Sequence, residues 1–298
     1  MLKWRLTIGL PTVLILAALF WCDARSPIPG LFLMPPFLVC VVFLCGEFLS
    51  LLNAGGLFPR RSTVFAGTLW IMIWCWLACY KTMPHIQAEG WDVASKACLL
   101  TLLAMAGGIM IAFTGEMARF KQPGGNTINL AGAIFAISYI GVLGCFMIML
   151  RIAYGVGAML SLIITTKMCD IGAYTVGRLI GRHKMAADLS PGKTIEGAIG
   201  GLIFAVIGAW MSFDLLLPYF QTKGDVTGSQ WAGIVLFGLF VGLAGAVGDL
   251  AESLIKRDVC RKDSGQFVPG FGGFLDIFDS LLLAAPVAFG LWAFHLVR

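Results

Sequence analysis

The sequence predicts an all-α fold: a polytopic transmembrane helical bundle of about nine spans, with a cytoplasmic N-terminus and a catalytic cluster at the cytoplasmic membrane face. Three observations carry this. Of 298 residues, 59% are hydrophobic, and the mean hydropathy is +0.89. Only 12% are charged, about half the roughly 25% of a soluble domain. The apolar runs are continuous rather than alternating every second residue, which disfavours a β-barrel and makes lipid the solvent for most of the surface.

Nine stretches approach the roughly 20 residues needed to cross a bilayer: 6–22, 31–52, 63–80, 95–113, 129–150, 157–179, 195–217, 231–249 and 280–297. Lys3 and Arg5 precede the first, as in a signal peptide, but it ends in LFWCDARS without a small-residue cleavage pattern, so a retained span is expected. With the N-terminus in the cytoplasm, fourteen Lys and Arg fall in cytoplasmic segments and five outside, as the positive-inside rule requires. Residues 1–128 then form an N-terminal region of about four spans with short loops. Residues 129–298 hold nearly all the ionisable side chains suited to chemistry and form the catalytic region.

Nine cysteines are present, seven of them inside apolar runs, where they read as small buried hydrophobes. There is no CxxC and no Cys/His cluster, so no zinc site is expected. A net charge of +5 gives no reason to expect a nucleic-acid partner.

The ions concentrate in two segments. In DLAESLIKRDVCRKD, residues 249–263, Asp249, Glu252, Ser253 and Lys256 follow i, i+3, i+4, i+7 spacing and fall on one helix face. Asp249 directly follows an apolar run. A carboxylate there is costly unless it is paired or binds a cation, although a helix end dipping into water explains the spacing equally well. Downstream, PGFGG is incompatible with regular helix and leads to Asp276 and Asp279 at the mouth of the last span. Carboxylates gathered at one face suit a hard ion such as Mg²⁺, which takes one or two of them and completes its shell with water and phosphate oxygens. Nearby Lys and Arg would face the rest of a polyphosphate.

The upstream segment holds Lys167 and Asp170 late in a span. Gly177 and Gly181 follow, at a spacing that suits close helix packing. SPGKT is not a phosphate loop, because Ala187 stands where the first glycine is needed. Ser190, Gly192, Lys193 and Thr194 are expected to open the next helix, where backbone N–H groups favour anions.

Two blocks closely resemble the phosphatidate cytidylyltransferase family, the CDP-diacylglycerol synthases. One is D-x-G-A-Y-x-x-G-R-x-x-G-R-H-K through S-P-G-K-T-x-E-G-x-x-G-G, from Asp170 to Gly201. The other is G-D-L-x-E-S-x-x-K-R-x-x-x-x-K-D-S-G through P-G-F-G-G-x-L-D-x-x-D-S, from Gly248 to Ser280. Archaeal lipid cytidylyltransferases share much of the second block. The resemblance implies transfer of CMP from CTP to phosphatidic acid, giving CDP-diacylglycerol and pyrophosphate in phospholipid biosynthesis. It also implies Mg²⁺ and a multi-pass protein of the cell membrane. Asp249 and Asp276 would hold the metal, with Asp279 as a further ligand or its supporting partner. Lys256, Arg257 and Lys262 would neutralise phosphates. Ser190, Lys193 and Thr194 would cradle the nucleotide phosphates, and Asp170 would orient a lysine or contact a second cation. The sequence departs from the family at Phe271, where His is usual, and at Ile277, where Arg is usual. A phosphate nucleophile is already ionised near neutral pH and needs no general base, so Phe271 is compatible with activity.

Other readings remain at this stage. The acceptor can be another lipid phosphate or a polyprenol, with cytidylyl transfer or kinase chemistry. An inactive homologue would explain Phe271 and Ile277. A transporter fits less well, because no internal repeat is visible and the charges collect at one face. Glycine-rich faces such as Gly238 and Gly242 permit tight helix contacts within or between chains, which leaves a homodimer open.

Overall fold

The computed structural model describes residues 2–86, 93–220, 231–265 and 273–297. Ten α-helices and one two-stranded hairpin follow in order: α1 (Leu2–Ala24), α2 (Met34–Ala54), α3 (Arg61–Ile86), α4 (Val93–Met117), α5 (Asn126–Ala136), α6 (Leu143–Ile180), β1 (Lys184–Ala186), β2 (Ser190–Thr194), α7 (Ile195–Trp210), α8 (Leu217–Phe220), α9 (Trp231–Asp258) and α10 (Leu275–Ala293). Six-residue π-helical turns, Ile137–Val142 and Met211–Leu216, join α5 to α6 and α7 to α8. The helical class expected from composition is the one observed.

Among the described residues, seven helical runs are long and apolar enough to cross a membrane. The expected spans 129–150 and 157–179 lie in one run, Asn126–Ile180, of 55 residues. A straight helix of that length would reach about 80 Å, well over twice a roughly 30 Å hydrocarbon layer. The run is broken at Gly155, whose φ of +86° and ψ of −176° lie outside helical space and are open to glycine alone. The apolar stretch of α1, Pro11–Ala24, is shorter than the other runs.

The span expected over 231–249 continues as helix to Asp258, as the spacing of Asp249, Glu252, Ser253 and Lys256 implied, so the ionic face is a helical extension of a span. One end differs from expectation. The last helix begins at Leu275 rather than 280, which puts Asp276 and Asp279 inside its first two turns. It starts early because side-chain carboxylates accept its first N–H groups, as described below.

The chain forms two compact units, each discontinuous in sequence: 1–152 with 258–277, and 153–257 with 278–298. In the first, Phe48 is fully buried and stacks on Tyr139, with ring centroids 5.2 Å apart; Phe135 meets Phe48 edge-on. Pro35 and Pro36 open α2, where a missing N–H leaves no bond unmade. In the second, Phe213 packs edge-on against Phe237 and stacks on Trp292.

The first unit also contains a buried ion pair. Arg151 Nε lies 2.6 Å from Asp23 Oδ2, and Arg151 Nη2 donates to the Asp23 carbonyl at 2.9 Å. The same carboxylate accepts from the N–H groups of Gly30 and Phe32 and so closes the 25–33 connection onto the end of α1. Asp23 is fully buried. Removing one partner strands the other charge, so Asp23→Ala is expected to lower stability by about 3–5 kcal/mol. Thermal unfolding in detergent checks this; an unchanged midpoint contradicts it.

Candidate active site

The second unit brings together five of the ionisable residues singled out in the sequence. Asp249, on α9, lies 2.8 Å from Lys193, the penultimate residue of β2. The contact is an ion pair without hydrogen-bond alignment, since the Lys193 ammonium makes no hydrogen bond in this arrangement. Asp249 is 37% exposed and sits at a boundary, whereas the Lys193 ammonium is buried against it. On α6, Lys167 donates to Asp170 at 3.0 Å. Asp279 is buried, and Asp249 and Lys167 lie within electrostatic reach of it. Its Oδ1 accepts from Ser280, through the N–H at 2.5 Å and the hydroxyl at 3.0 Å.

Gly248 makes this possible. A Cβ there would sit 2.5 Å from the Asp279 carbonyl oxygen and 3.2 Å from Ser280 Cα, so only glycine lets α9 and α10 cross at this depth. The crossing sets Asp249 beside the turn that carries Asp279.

SPGKT does not open a helix as expected. It is the second strand of an antiparallel hairpin, with Lys184 opposite Thr194 and Ala186 opposite Ser190. The hairpin base is closed by Glu196, which accepts from the N–H groups of Arg182 and His183 and pairs with His183 Nδ1 at 2.6 Å. Thr194 alone meets the helix: it is the N-cap of α7, and its hydroxyl accepts from Gly197 N at 3.1 Å. That hydroxyl is committed to the cap and packs against Gly177 and Gly181, the close-packing pair read in the sequence. Ser190 is half-buried at the start of β2 and Lys193 projects to Asp249, so the strand presents these two in place of a helical anion cradle.

The helix face of the 249–263 segment is realised, with pairing inside it. Lys256 donates to the buried Glu252 at 2.7 Å, one helical turn apart. Arg257 Nε donates to the Leu189 carbonyl at 3.2 Å and ties the end of α9 to the hairpin turn. Lys262 is exposed beyond the helix.

Asp276 belongs to the first unit. Its Oδ2 accepts from Gly273 N at 2.7 Å, from Ser264 N at 3.3 Å and from the Ser264 hydroxyl at 2.9 Å. Glu47, on α2, joins the same network: Oε1 accepts from Phe274 N at 3.0 Å, and Oε2 from Leu275 N at 2.9 Å and the Ser264 hydroxyl at 3.1 Å. Sequence reasoning left Glu47 without a role; its signal was a lone carboxylate inside a 21-residue apolar helix. Arg261 donates to Ser50 at 2.9 Å in the same unit. Ile277 is half-buried in the first turn of α10. Phe271 lies outside the described residues.

The donor set suits a hard cation. The carboxylates of Asp249 and Asp279 are oxygen donors of one sign at the end of a glycine-permitted helix crossing, with lysines beside them. No group of three or more Asp, Glu, His or Cys side chains arranged to hold a metal occurs among the described residues. Mg²⁺ needs only one or two when water and phosphates fill its shell.

Together these features define a polytopic helical membrane protein with an ion-paired polar centre at its span ends. The chain matches the Cytidylyltransferase family over residues 3–295 and belongs to that family. It is 43% identical over 124 residues to a phosphatidate cytidylyltransferase of Synechocystis sp., covering 40% of this chain and 38% of that protein. It is 38% identical over 201 residues to the uncharacterized protein YnbB of Escherichia coli, covering 64% and 62%. It is 34% identical over 202 residues to a phosphatidate cytidylyltransferase of Staphylococcus haemolyticus, covering 67% and 71%. The match thus spans well under half of the first relative and less than two thirds of the second.

Two substitutions test the geometry. Thr194→Ala is expected to cost about 1 kcal/mol through the lost cap, with Thr194→Ser retaining most of it. Gly248→Val drives a side chain into the Asp279 backbone and is expected to cost about 1–3 kcal/mol. Thermal unfolding in detergent reads both, and a Gly248→Val protein as stable as the parent would contradict the crossing.

Proposed function

We propose that the protein is a phosphatidate cytidylyltransferase: it transfers CMP from CTP to phosphatidic acid and releases pyrophosphate. The observation that carries this is the Lys193–Asp249 pair of 2.8 Å, a lysine from the SPGKT strand against a carboxylate of the GDLAES helix. Each block of the family pattern thus supplies one member of a single ion pair. The names of the relatives agree with the chemistry, since two of the three are phosphatidate cytidylyltransferases.

In the reaction, an oxygen of the lipid phosphate attacks the α-phosphorus of CTP, the bond to the β-phosphate oxygen breaks, and pyrophosphate leaves. Two anions must be held together against their repulsion. Lys193 exchanges Asp249 for a phosphate of CTP. Asp249 and Asp276 are the carboxylates that the family pattern would assign to Mg²⁺, with Asp279 as a further ligand or its supporting partner. Bound Mg²⁺ supplies charge neutralisation at the phosphorus undergoing substitution and at the leaving pyrophosphate. Lys256, Arg257 and Lys262 lie on or just beyond the α9 extension, where they attract polyphosphate. Asp170 holds Lys167 in place through the 3.0 Å contact. Ser190 adds a hydroxyl donor beside Lys193, while Thr194 serves the site by fixing the hairpin to α7.

The centre sits at span ends because its substrates come from two phases, CTP from water and phosphatidic acid from the bilayer. We place the enzyme in the cell membrane with nine spans and a cytoplasmic N-terminus. Residues 129–298 act as the catalytic region, and a homodimer is compatible with the glycine-lined faces.

The test is purified protein in detergent with labelled CTP, phosphatidic acid and Mg²⁺, with and without EDTA, followed by lipid extraction. A Mg²⁺-dependent labelled CDP-lipid is expected, and Asp249→Asn is expected to lower turnover by about 100-fold or more. Folded protein that labels no lipid, or an Asp249→Asn variant with full turnover, overturns the reading. Product with a polyprenol phosphate and none with phosphatidic acid would reassign the acceptor.

A further inference from the structure

Helix α2 lies in the half of the chain that carries neither family block, yet one of its faces is built to receive the second block. Phe43, Glu47 and Ser50 follow i, i+4, i+7 spacing and share that face. The Phe274 ring stacks on Phe43, with centroids 5.0 Å apart and planes 11° from parallel. Glu47 accepts the N–H groups of Phe274 and Leu275. Ser50 accepts from Arg261. Where α2 ends, Gly55 closes on the Val259 side chain.

Glu47 is 8% exposed, in a helix without another charged side chain. A buried carboxylate is stable only if its oxygens are used, and here two backbone N–H groups and a hydroxyl use them. Those N–H groups belong to the first turn of α10, where a helix leaves its donors without internal partners. Glu47 therefore caps α10 from 228 residues away in sequence. The fit leaves no spare room. A Cβ on Gly265 or Gly273 would fall on the Glu47 carboxylate, and one on Gly273 would also strike Ser264.

The Ser264 hydroxyl lies 3.1 Å from Glu47 Oε2 and 2.9 Å from Asp276 Oδ2. It has one proton and so donates to one carboxylate at a time. The shorter contact is to Asp276, whose Oδ2 also accepts the N–H groups of Gly273 and Ser264. The direction of the Asp276 carboxylate is thus set by a loop whose other anchor is Glu47.

We propose that Glu47 is a positioning residue: through Ser264 and the first turn of α10 it fixes the Asp276 carboxylate for cation binding. The proposal rests on the assignment of Asp276 as a metal ligand. It adds that a carboxylate of α2, outside both family blocks, orients a carboxylate of the second block. Loss of such a supporting interaction weakens metal binding by about 10–100-fold.

The test uses full-length protein in detergent and reads Mn²⁺ binding by electron paramagnetic resonance in the presence of CTP, independently of turnover. Glu47→Gln keeps the size of the side chain but turns one acceptor into a donor facing the N–H groups of α10. It is expected to bind Mn²⁺ about 10-fold or more weakly, with faster amide exchange at 273–276. Ser264→Ala is expected to shift affinity in the same direction by less. Asp23→Asn serves as the control, because it loosens the same unit through a different pair and is expected to leave Mn²⁺ affinity unchanged. Equal affinity in parent and Glu47→Gln, equal loss in Asp23→Asn, or no Mn²⁺ binding by the parent overturns the proposal. If the parent binds Mn²⁺, the variant weakens it and no CDP-lipid forms, the positioning role stands and the assigned reaction falls.

Discussion

A carboxylate at the edge of a hydrocarbon layer persists only when something answers its charge, and the polar architecture of this protein follows from that constraint. Asp249 is answered by Lys193, Asp170 by Lys167, Glu252 by Lys256 and Asp23 by Arg151. Glu47 is answered by backbone N–H groups and a hydroxyl. These partners differ in kind, and the difference sorts structure from chemistry. Asp23 and Arg151 are buried and hydrogen-bonded to backbone, which suits a permanent clasp. Asp249 is partly exposed and its contact with the buried Lys193 ammonium lacks hydrogen-bond alignment, which suits a pair that exchanges partners when an anion and a cation arrive together.

The helix crossing at Gly248 applies the same constraint to backbone. Two carboxylates of like charge come into electrostatic reach because glycine lets the helices approach closely, and Lys193 and Lys167 offset the repulsion. A site arranged this way keeps opposite charges in pairs where the helices cross.

Much of this was legible in the sequence, and the remainder was hidden for physical reasons. The face of Asp249, Glu252 and Lys256 was readable because helical periodicity is local, and α9 carries it to Asp258 as the spacing implied. The role of SPGKT was misread. A strand of five residues and a helix start share the same small and polar residues, and the choice was made by pairing with Lys184–Ala186 and by Glu196 closing the hairpin. The early start of α10 was not readable, because its first N–H groups are capped by Glu47, far from it in sequence. Backbone donors leave no mark in a sequence, so the partners of Glu47 were invisible. Only its isolation among apolar residues pointed to a buried role.

The most direct measurement is the Lys193 Nζ to Asp249 Oδ2 distance in a cryo-electron microscopy structure with CTP and Mg²⁺ bound. The account predicts that the 2.8 Å contact opens, with Lys193 on a nucleotide phosphate and Asp249 on the metal. Nucleotide bound elsewhere, with this pair intact, would contradict it.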